Sequence, residues 1–539
     1  MTNVTELLRQ GKKAEIWETY CGFLDLSIDE FMEIQNNLLM DQIERLKNCE
    51  LGKRLLGSRV PKSVEEFRER VPLTTYNDYS EYLLEKREDV LPEKPYLWVH
   101  TSGRSGEYTY KWAPYTKGMY DALGEGLFAI FILSSCKKKG DIVLKEGDKM
   151  VFTLAPLPYI SGLFIRTALD QFNFKVFPPY EEAVEMDFQE RIKIALQMAL
   201  TEGLDFFYGI SSLMLKISEQ FSQTDKSMKD NKELKSVLRN PKALLRLIRA
   251  LLKAKMHRRN ILPKDIWKLK AVMCGGTDTS IFREKIIELW GKTPYEGYGS
   301  TEFGIISDQS WNTEGMVFLP KANFLEFIPE EEYNKWAKDK GYTPLVLTLN
   351  EVKPDQKYVL VGTNFHGGIF TRYISDDLIK VISVEDKGAG LKLPQIVFSS
   401  RIGDLIDMGG FTRLTEKIIW KAIENSNFAY TDWVVRKEYK DKNPVLHLYI
   451  ELKDNDITIP EMEERIHECL KKLDEPYKDL ETMAGVKPLR VTVLTKGTFS
   501  RYIEERQAAG ADLAHLKPKR MNPSDTIMKN ILRMSSWQL

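Results

Sequence analysis

Cysteine and histidine are scarce in this sequence, and neither forms a metal-binding pattern. The five cysteines among 539 residues are scattered and include no CxxC pair, and the six histidines include no HExxH. An odd and dispersed set of cysteines argues against a disulfide framework and a zinc knuckle, and it fits a reducing compartment. A metalloprotease is equally unsupported. We therefore expect a cytoplasmic protein.

An excess of charge of one sign and a long apolar run are also missing. Lys plus Arg and Asp plus Glu each number 78, so the net charge is zero and a general attraction to nucleic acid is not expected. No apolar run approaches the roughly 20 residues that span a bilayer. The polar N-terminus lacks the apolar segment of a signal peptide. The length predicts a globular protein of about two to four domains.

Four strand–loop–helix units stand out from residue 149 onward. Short apolar runs end in loops rich in Gly, Pro or Ser, and helical periodicity follows. The units are KMVFTLAPLPYISGL, LDFFYGISSLMLKI, LKAVMCGGTDTSIFREKIIELW and TPYEGYGSTEFG. Strands that alternate with helices predict a parallel sheet. Ligands of such sheets bind outside the carboxyl ends of the strands, so we expect the four loops to face one cleft.

The last of these units contains YEGYGSTEFG, residues 295–304. Its glycines allow a ligand to approach the backbone closely. Ser300, Thr301 and Glu302 could hold a hard cation or a phosphoryl oxygen. The alternative is an ordinary turn between a strand and a loop, which is what such a stretch most often forms.

An earlier segment, TSGRSG at residues 101–106, offers hydroxyls and unobstructed backbone N–H groups that suit an oligophosphate. It is not the GxxxxGK[ST] loop, because the nearest lysine lies too far on and no Ser or Thr follows it. An exposed Gly/Ser turn is the alternative.

The remaining patterns predict the domain organisation. A large N-terminal domain, 1–400, contains a helical lead-in at 1–90, a helical insert at 223–265 and an antiparallel β subdomain at 315–400. A smaller α+β domain follows at 401–539.

The insert includes the basic amphipathic pattern NPKALLRLIRALLKAKMHRRN, residues 240–260. Its residues 241–260 could contact a membrane surface or an acidic partner. The favoured interpretation is a surface helix that packs its Leu/Ile stripe against the domain.

The stretch RYISDDLIKV places two carboxylates, Asp376 and Asp377, within sequence typical of a strand. Charged residues are disfavoured there unless they are at an edge or bind something. Asp377 could accept hydrogen bonds from a pair of ribose hydroxyls, and an exposed hairpin turn is the alternative.

The ordered set TSGRSG, GGTDTS, YGSTE, RYISDDL, SRIGDLIDMGG and a C-terminal lysine resembles the superfamily of acyl-adenylate-forming enzymes. Within it, the lead-in VPLTTYNDYSEYL, the RYISDDLIKV strand and the tail KGTF…GADLAHLKPKR are most similar to the Gretchen Hagen family of acyl-acid amido synthetases. The resemblance implies an α/β fold with a mobile C-terminal domain, and ATP and Mg²⁺ as cofactors.

The resemblance also implies roles for individual residues. The nucleotide-binding positions are Thr101, Ser102, Gly103, Arg104, Ser105 and Gly106 in the phosphate loop, Gly275, Gly276 and Thr277 against adenine, Tyr298, Gly299, Ser300 and Thr301 in the next motif, and Asp377 at the ribose. The acyl-pocket positions are Tyr159, Gly209, Ser211 and Ser212. Glu302 matches the Mg²⁺ ligand and Arg401 the arginine at the hinge. Lys517 matches the mobile lysine that contacts the carboxylate and the α-phosphate.

Some positions depart from the family pattern. Arg104 replaces a small hydroxyl residue. Asp376 stands where a glycine is usual, and Gly403 stands where an aspartate is usual. His515 stands for a glutamine. These departures keep a catalytically silent binding protein open as an alternative.

We expect an enzyme that activates a carboxylic acid as an acyl-adenylate and transfers the acyl group to an amine, with an amino acid as the expected acceptor. The main alternative is the same activation with transfer to coenzyme A.

Overall fold

The computed structural model describes most of the chain. The described ranges are 3–101, 110–186, 188–211, 213–215, 217–218, 240–275, 279–402, 405–408, 412–440, 443–454, 457–474, 477–478, 488–508 and 518–536. The chain forms two compact units, one of Met1–Thr101 with Tyr110–Ser399 and one that contains the residues from Ser400 onward. The predicted phosphate loop at 102–106 lies outside the described residues, as does Lys517.

The first unit begins with short helices. They are α1 (Val4–Arg9), α2 (Lys13–Cys21), α3 (Ile28–Leu46), α4 (Glu50–Leu56), α5 (Val64–Arg70) and α6 (Ser80–Leu83). The helix α3 starts at a capping box in which Ser27 accepts from the Glu30 N–H and the Glu30 carboxylate accepts from the Ser27 N–H. Its apolar residues recur every three or four positions, and those facing inward are buried.

One mixed sheet of eleven strands organises this unit. A separate antiparallel pair consists of β1 (Leu97–His100) and β2 (Trp112–Tyr115). The sheet strands are β3 (Lys149–Phe152), β4 (Lys175–Phe177), β5 (Phe206–Ile210), β6 (Ala271–Gly275), β7 (Pro294–Ser300), β8 (Gly304–Gln309), β9 (Met316–Phe318), β10 (Asn323–Pro329), β11 (Lys357–Asn364), β12 (Tyr373–Ser383) and β13 (Gln395–Arg401). Their order is β10-β11-β12-β13-β9-β8-β7-β6-β5-β3-β4.

The strands β4, β3, β5, β6 and β7 are parallel neighbours, and β3, β5, β6 and β7 are the strands of the four predicted units. The sequence did not predict β4, and the helix expected after the fourth unit is wrong, because β7 leads directly into β8. Antiparallel pairing begins at β7 with β8. The antiparallel strands expected over 315–400 therefore continue the parallel sheet. This confirms the predicted α/β class.

The helices that accompany the sheet are α7 (Lys117–Ser135), α8 (Ile160–Gln171), α9 (Tyr180–Glu185), α10 (Phe188–Glu202), α11 (Pro241–Met256), α12 (Pro263–Ile266), α13 (Thr279–Trp290) and α14 (Glu330–Lys338). The most deeply buried is α7, whose sequence GLFAIFILSS is apolar on all sides. A helix of that composition needs protein around it throughout. None of the helices in the described ranges combines the length and the apolar character that crossing a bilayer requires.

The second unit is a small α+β structure. Its elements are β14 (Leu405–Asp407), β15 (Arg413–Thr415), α15 (Glu416–Asn425), β16 (Tyr430–Lys440), β17 (Asn443–Leu452), α16 (Ile459–Leu473), β18 (Leu489–Leu494), α17 (Thr498–Ala508) and α18 (Asp525–Ser536). The strand β17 is central, antiparallel to β16 and parallel to β18. Arg520, part of the basic tail, is buried over the Trp420 ring and paired with Asp432, so this cation supports the fold.

Candidate functional site

The turn between β7 and β8 is the centre of the predicted site, and neighbouring side chains hold its backbone. Tyr115 donates to the carbonyl of Thr301 at 3.0 Å, and Asn364 donates to the carbonyl of Glu302 at 3.0 Å. The Ser300 hydroxyl accepts from the N–H of Phe303 at 3.2 Å. Because partners from two other elements fix this turn, it differs from an ordinary exposed loop.

The same turn requires glycine at position 299. A Cβ built there would lie 2.3 Å from the carbonyl oxygen of Gly304. Gly304 itself has φ +71°, a conformation that favours glycine. The YGSTEFG pattern therefore encodes a tight strand-to-strand turn.

The Glu302 side chain is half-buried at this turn. Its Oε1 accepts from the Tyr373 hydroxyl at 3.3 Å. The pKa of the Tyr115 hydroxyl is raised by burial and further by the charge of Glu302. Glu302 thus brings a carboxylate charge to the carboxyl edge of the parallel strands.

A buried hydrogen bond joins two more of the predicted residues. The Tyr298 hydroxyl donates to Oδ2 of Asp377 at 2.8 Å, and the two residues are only 7% and 6% exposed. Asp377 lies within β12, so the alternative of an exposed hairpin turn is wrong. A buried carboxylate is costly unless hydrogen bonds compensate it, which makes this residue a strong acceptor.

An ion pair at the start of β12 fixes that strand. Arg372 contacts both oxygens of Glu326 at 2.9 Å, and the two side chains are 5% and 1% exposed. The Arg372 guanidinium also donates to the carbonyls of Arg68 and Val71, at 2.5 and 2.7 Å. The lead-in helices are thereby tied to the strand that begins with Tyr373.

The predicted acyl-pocket residue Tyr159 follows β3 and packs against the β1–β2 pair. The centre of its ring lies 4.5 Å from that of His100, and the His100 ring is tilted against Tyr110 with the ring centres 4.2 Å apart. The backbone N–H of His100 donates to the carbonyl of Pro158 at 3.0 Å. Burial lowers the pKa of His100, so its ring is neutral near pH 7.

Thr101 follows β1, at the first position of the predicted phosphate loop. Its hydroxyl accepts from the Lys111 N–H at 3.1 Å, and its own N–H donates to the Lys111 carbonyl at 3.0 Å. Both ends of the intervening segment are therefore held together.

Gly209 and Ser211 lie at the end of β5, next to β6. A Cβ at position 209 would be 2.0 Å from the Thr153 Oγ1, so any larger residue there would force Thr153 or β5 to shift. The hydroxyl of Ser211 bonds to that of Thr279 at 2.8 Å. This pair joins the loops after β5 and β6, as expected for neighbouring parallel strands.

Other predicted residues fall partly or wholly outside the described structure. Wholly outside are Ser102, Gly103, Arg104, Ser105, Gly106, Ser212, Gly276, Thr277 and Lys517. For Gly275 and Arg401 the structure describes their places in β6 and β13. The roles of all these residues stay predictions.

Five residues that shape the described site were not predicted from the sequence: Tyr115, Glu326, Asn364, Arg372 and Tyr373. Polar residues in otherwise apolar strands were the available signal, as in NFLEFIP and VLVGTN. Such residues need partners when they are buried. Within the described ranges, no group of three or more His, Cys, Asp or Glu residues could hold a metal by itself.

Comparison with known proteins gives the family. Sequence profiles of the GH3 family match in order: the N-terminal domain at residues 22–203, the central domain at 316–411 and the C-terminal domain at 416–525. Together they cover more than half of the chain.

Individual relatives are more distant. The jasmonoyl–L-amino acid synthetase JAR4 of Nicotiana attenuata is 25% identical over 226 residues, 40% of this chain and 36% of that protein. The matched segments span less than half the length of the curated relatives.

Two solved structures share the fold over nearly the whole chain. The AtGH3.15 acyl acid amido synthetase in complex with 2,4-DB is 17% identical, covering 96% of this chain and 98% of its own, with a TM-score of 0.67. A 2-hydroxyisobutyryl-CoA ligase in complex with 2-HIB-AMP is 14% identical, covering 95% and 94%, with a TM-score of 0.59. From the ordered profile matches, the chain belongs to the GH3 family.

Proposed function

We propose that this protein uses ATP to activate a carboxylic acid and then transfers the acyl group to the amino group of an amino acid. The observation that carries the proposal is the buried Tyr298–Asp377 hydrogen bond beside the Glu302 turn. Tyr298 lies near the end of β7, at the sheet edge where ligands of α/β folds bind, and its partner Asp377 is an acceptor suited to ribose. Glu302 follows on the same turn as a carboxylate suited to Mg²⁺.

Two steps make up the reaction. A carboxylate oxygen attacks the α-phosphorus of ATP, the bond to pyrophosphate breaks, and an acyl-adenylate forms. The amine then attacks the acyl carbon, AMP leaves with the bonding electron pair, and the amine loses a proton. The protein contributes chiefly positioning and stabilisation of charge.

The described residues have distinct parts in this scheme. Asp377 accepts hydrogen bonds from the ribose hydroxyls, and Tyr298 holds the carboxylate in place from one side. The Tyr298 ring lies near the adenine, as the family resemblance implies. Tyr159, Gly209 and Ser211 line the acyl pocket.

Glu302 is the residue that would hold Mg²⁺. A nucleotide-bound Mg²⁺ is commonly held by one or two carboxylates together with the phosphates, so a single half-buried carboxylate fits it. The ion would offset the phosphate charge. Tyr373 keeps the carboxylate oriented toward the site through its hydrogen bond.

Lys517, Arg401 and the loop at 101–106 complete the proposal through the family resemblance. Lys517 would place a cation between the carboxylate and the α-phosphate, and the loop would cradle the phosphates. The amido synthetase activity of the relatives supports an amino acid as the acceptor. The shared fold of a CoA ligase is the support for a thiol acceptor.

Product analysis tests the acceptor. The protein is incubated with ATP, Mg²⁺ and a panel of aliphatic and aromatic acids, with either mixed amino acids or coenzyme A. We expect the mass of an acyl–amino acid and release of AMP. Thioester alone would replace the amide proposal by the CoA alternative, and no product with any acid would favour the silent binding protein.

The role proposed for Lys517 in adenylation has its own test. Lys517→Ala should slow adenylation by about 100-fold or more, because a cation at the reacting anions is lost. Lys519→Ala is the matched control and should keep normal adenylation. Full adenylation in Lys517→Ala would show that the tail lysine is wrongly assigned.

A cytoplasmic location remains part of the proposal. No disulfide joins the five cysteines, all of which lie in the described ranges. This fits a reducing compartment.

A further inference from the structure

The helix α11 presents its large apolar side chains to solvent. Leu245, Ile248, Leu252 and Met256 are 54%, 42%, 64% and 73% exposed. Their spacing of three, four and four residues places them on one face of the helix. The interpretation that the Leu/Ile stripe packs against the domain is therefore wrong.

Alanines form the face that packs inward. Ala243, Ala250 and Ala254 are buried, and at 100° per residue they lie opposite the apolar stripe. Small side chains let the helix backbone approach the domain closely. The sequence pattern shows the stripe but does not show which side of the helix the domain covers.

Polar contacts fix the rotation of the helix. Arg246 donates to the carbonyls of Leu200 and Thr201 at 2.8 and 2.9 Å. Near the other end, Lys253 and Arg259 contact Asp265, whose side chain is fully buried. The stripe could turn inward only by breaking these contacts.

The surface around the stripe is strongly cationic. From Asn240 to Lys264, both ends included, there are eight Lys and Arg residues and no Asp or Glu. Arg249 and Lys255 are exposed and flank the stripe on opposite sides. The stripe and its flanking cations, which we call the α11 face, thus combine aliphatic and positive surface.

We propose that the α11 face docks on the surface of a bilayer that contains anionic lipid. Aliphatic side chains would enter the boundary between headgroups and acyl chains, and the cations would contact lipid phosphates and carboxylates. A second copy of this chain is a poor occupant, because pairing two such faces would bring cations against cations. The face is also a convex helix surface, which suits a planar interface.

Vesicle flotation tests the docking, with a readout independent of ligase activity. Vesicles of phosphatidylcholine with about 30 mol% phosphatidylserine should bind the full chain, and pure phosphatidylcholine should bind it weakly. Raising the salt from about 0.1 M to about 0.5 M should weaken binding, because screening reduces the electrostatic attraction.

Variants identify the surface. Leu245→Glu should reduce binding at least about tenfold, since it places an acid in the apolar stripe. Leu345→Glu is the matched control, because Leu345 is equally exposed at 54% but lies outside the helix. The double variant Arg249→Gln/Lys255→Gln should bind anionic vesicles about 25-fold more weakly, because each cation contributes a factor of about five to the affinity. Lys62→Gln/Lys387→Gln, which removes two exposed cations elsewhere, should bind normally.

Several results would overturn the proposal. They are failure to float with the anionic vesicles, equal losses in Leu245→Glu and Leu345→Glu, and conversion of a wild-type dimer to a monomer by Leu245→Glu. Binding to soluble polyglutamate that exceeds binding to vesicles, and that Leu245→Glu does not change, would assign the face to an acidic protein instead.

Discussion

The buried pair of Arg372 and Glu326 offers the sharpest test of how the fold supports the site. Arg372→Met removes the guanidinium and leaves the Glu326 carboxylate, 1% exposed, without its two 2.9 Å contacts. Breaking one side of such a pair costs about 3–5 kcal/mol, because an uncompensated charge stays buried. Arg68 lies 3.5 Å from the same carboxylate and offsets part of the loss. We therefore expect Arg372→Met to lower the free energy of unfolding by about 3 kcal/mol.

The double variant Arg372→Met/Glu326→Met separates the ion pair from packing. Removing both charges leaves no buried unpaired carboxylate, so it should recover most of the lost stability and fall within about 1–2 kcal/mol of wild type. Lys380→Met is the matched control on the same strand, because its partner Asp355 is 81% exposed. A surface pair of this kind should change stability by less than about 0.5 kcal/mol.

Urea unfolding followed by tryptophan fluorescence measures these differences. A loss of less than about 1 kcal/mol in Arg372→Met, or a double variant no more stable than the single one, would show that the buried ion pair does not stabilise the fold in this way. Because Arg372 precedes Tyr373, which contacts Glu302, the single variant should also raise the KM for ATP.

Three further predictions concern buried groups. Burial raises the pKa of the Asp308 carboxyl well above its usual range, and neither of its oxygens has a hydrogen-bond partner among the described residues. Above a pH of about 4 the unfolded chain ionises this group while the folded chain does not, so stability falls by about 1.4 kcal/mol per pH unit up to the folded pKa. In Asp308→Asn, the free energy of unfolding measured in urea should not show this decrease between pH 5 and pH 7. Tyr298→Phe removes a hydrogen bond to the buried Asp377 and should raise the KM for ATP roughly 10-fold or more. Gly209→Ala should lower the melting temperature, because its Cβ would lie 2.0 Å from Thr153 Oγ1, and Thr153→Ala should partly restore it.

Each of these predictions has a contradicting outcome. A constant stability difference between Asp308→Asn and wild type across the pH range would mean that the carboxyl is already ionised in the fold. Tyr295→Phe, a change on the same strand to a tyrosine that bonds to the Gln309 carbonyl, controls for Tyr298→Phe. Equal KM values for ATP in the two variants would show that the Tyr298 hydroxyl does not contribute to nucleotide binding. An unchanged melting temperature in Gly209→Ala would show that β5 can shift to admit the extra carbon.

The parallel half of the fold follows from local sequence pattern. In the first three units an apolar run, a loop rich in Gly, Pro or Ser and a helix occur close together, and the fourth unit adds a strand and its loop. The sequence therefore predicts the four strands and the edge where their loops meet, but not the direct turn from β7 into β8. The continuation into one eleven-stranded sheet does not follow, because β9 and β13 pair across about 80 residues. Short-range pattern contains no direct sign of such a register.

Long-range polar pairs limited the prediction of the site in the same way. The sequence places Asp377 in a strand, but its bond to Tyr298 joins residues 79 positions apart. The pairing of Arg372 with Glu326 spans 46 positions. For α11, the helical periodicity of the sequence correctly predicts that the apolar residues share one face. It does not predict that the domain packs on the opposite face, which carries the buried alanines.

Carboxylic-acid-dependent exchange of pyrophosphate into ATP measures the proposed adenylation step itself. The assay uses a panel of aliphatic and aromatic acids, with Glu302→Ala beside Glu314→Ala as an exposed-carboxylate control. We expect exchange only when a suitable acid is present, and a loss of roughly 100-fold in Glu302→Ala with little change in the control. Absence of exchange with every acid, or equal exchange in the two variants, would contradict this expectation.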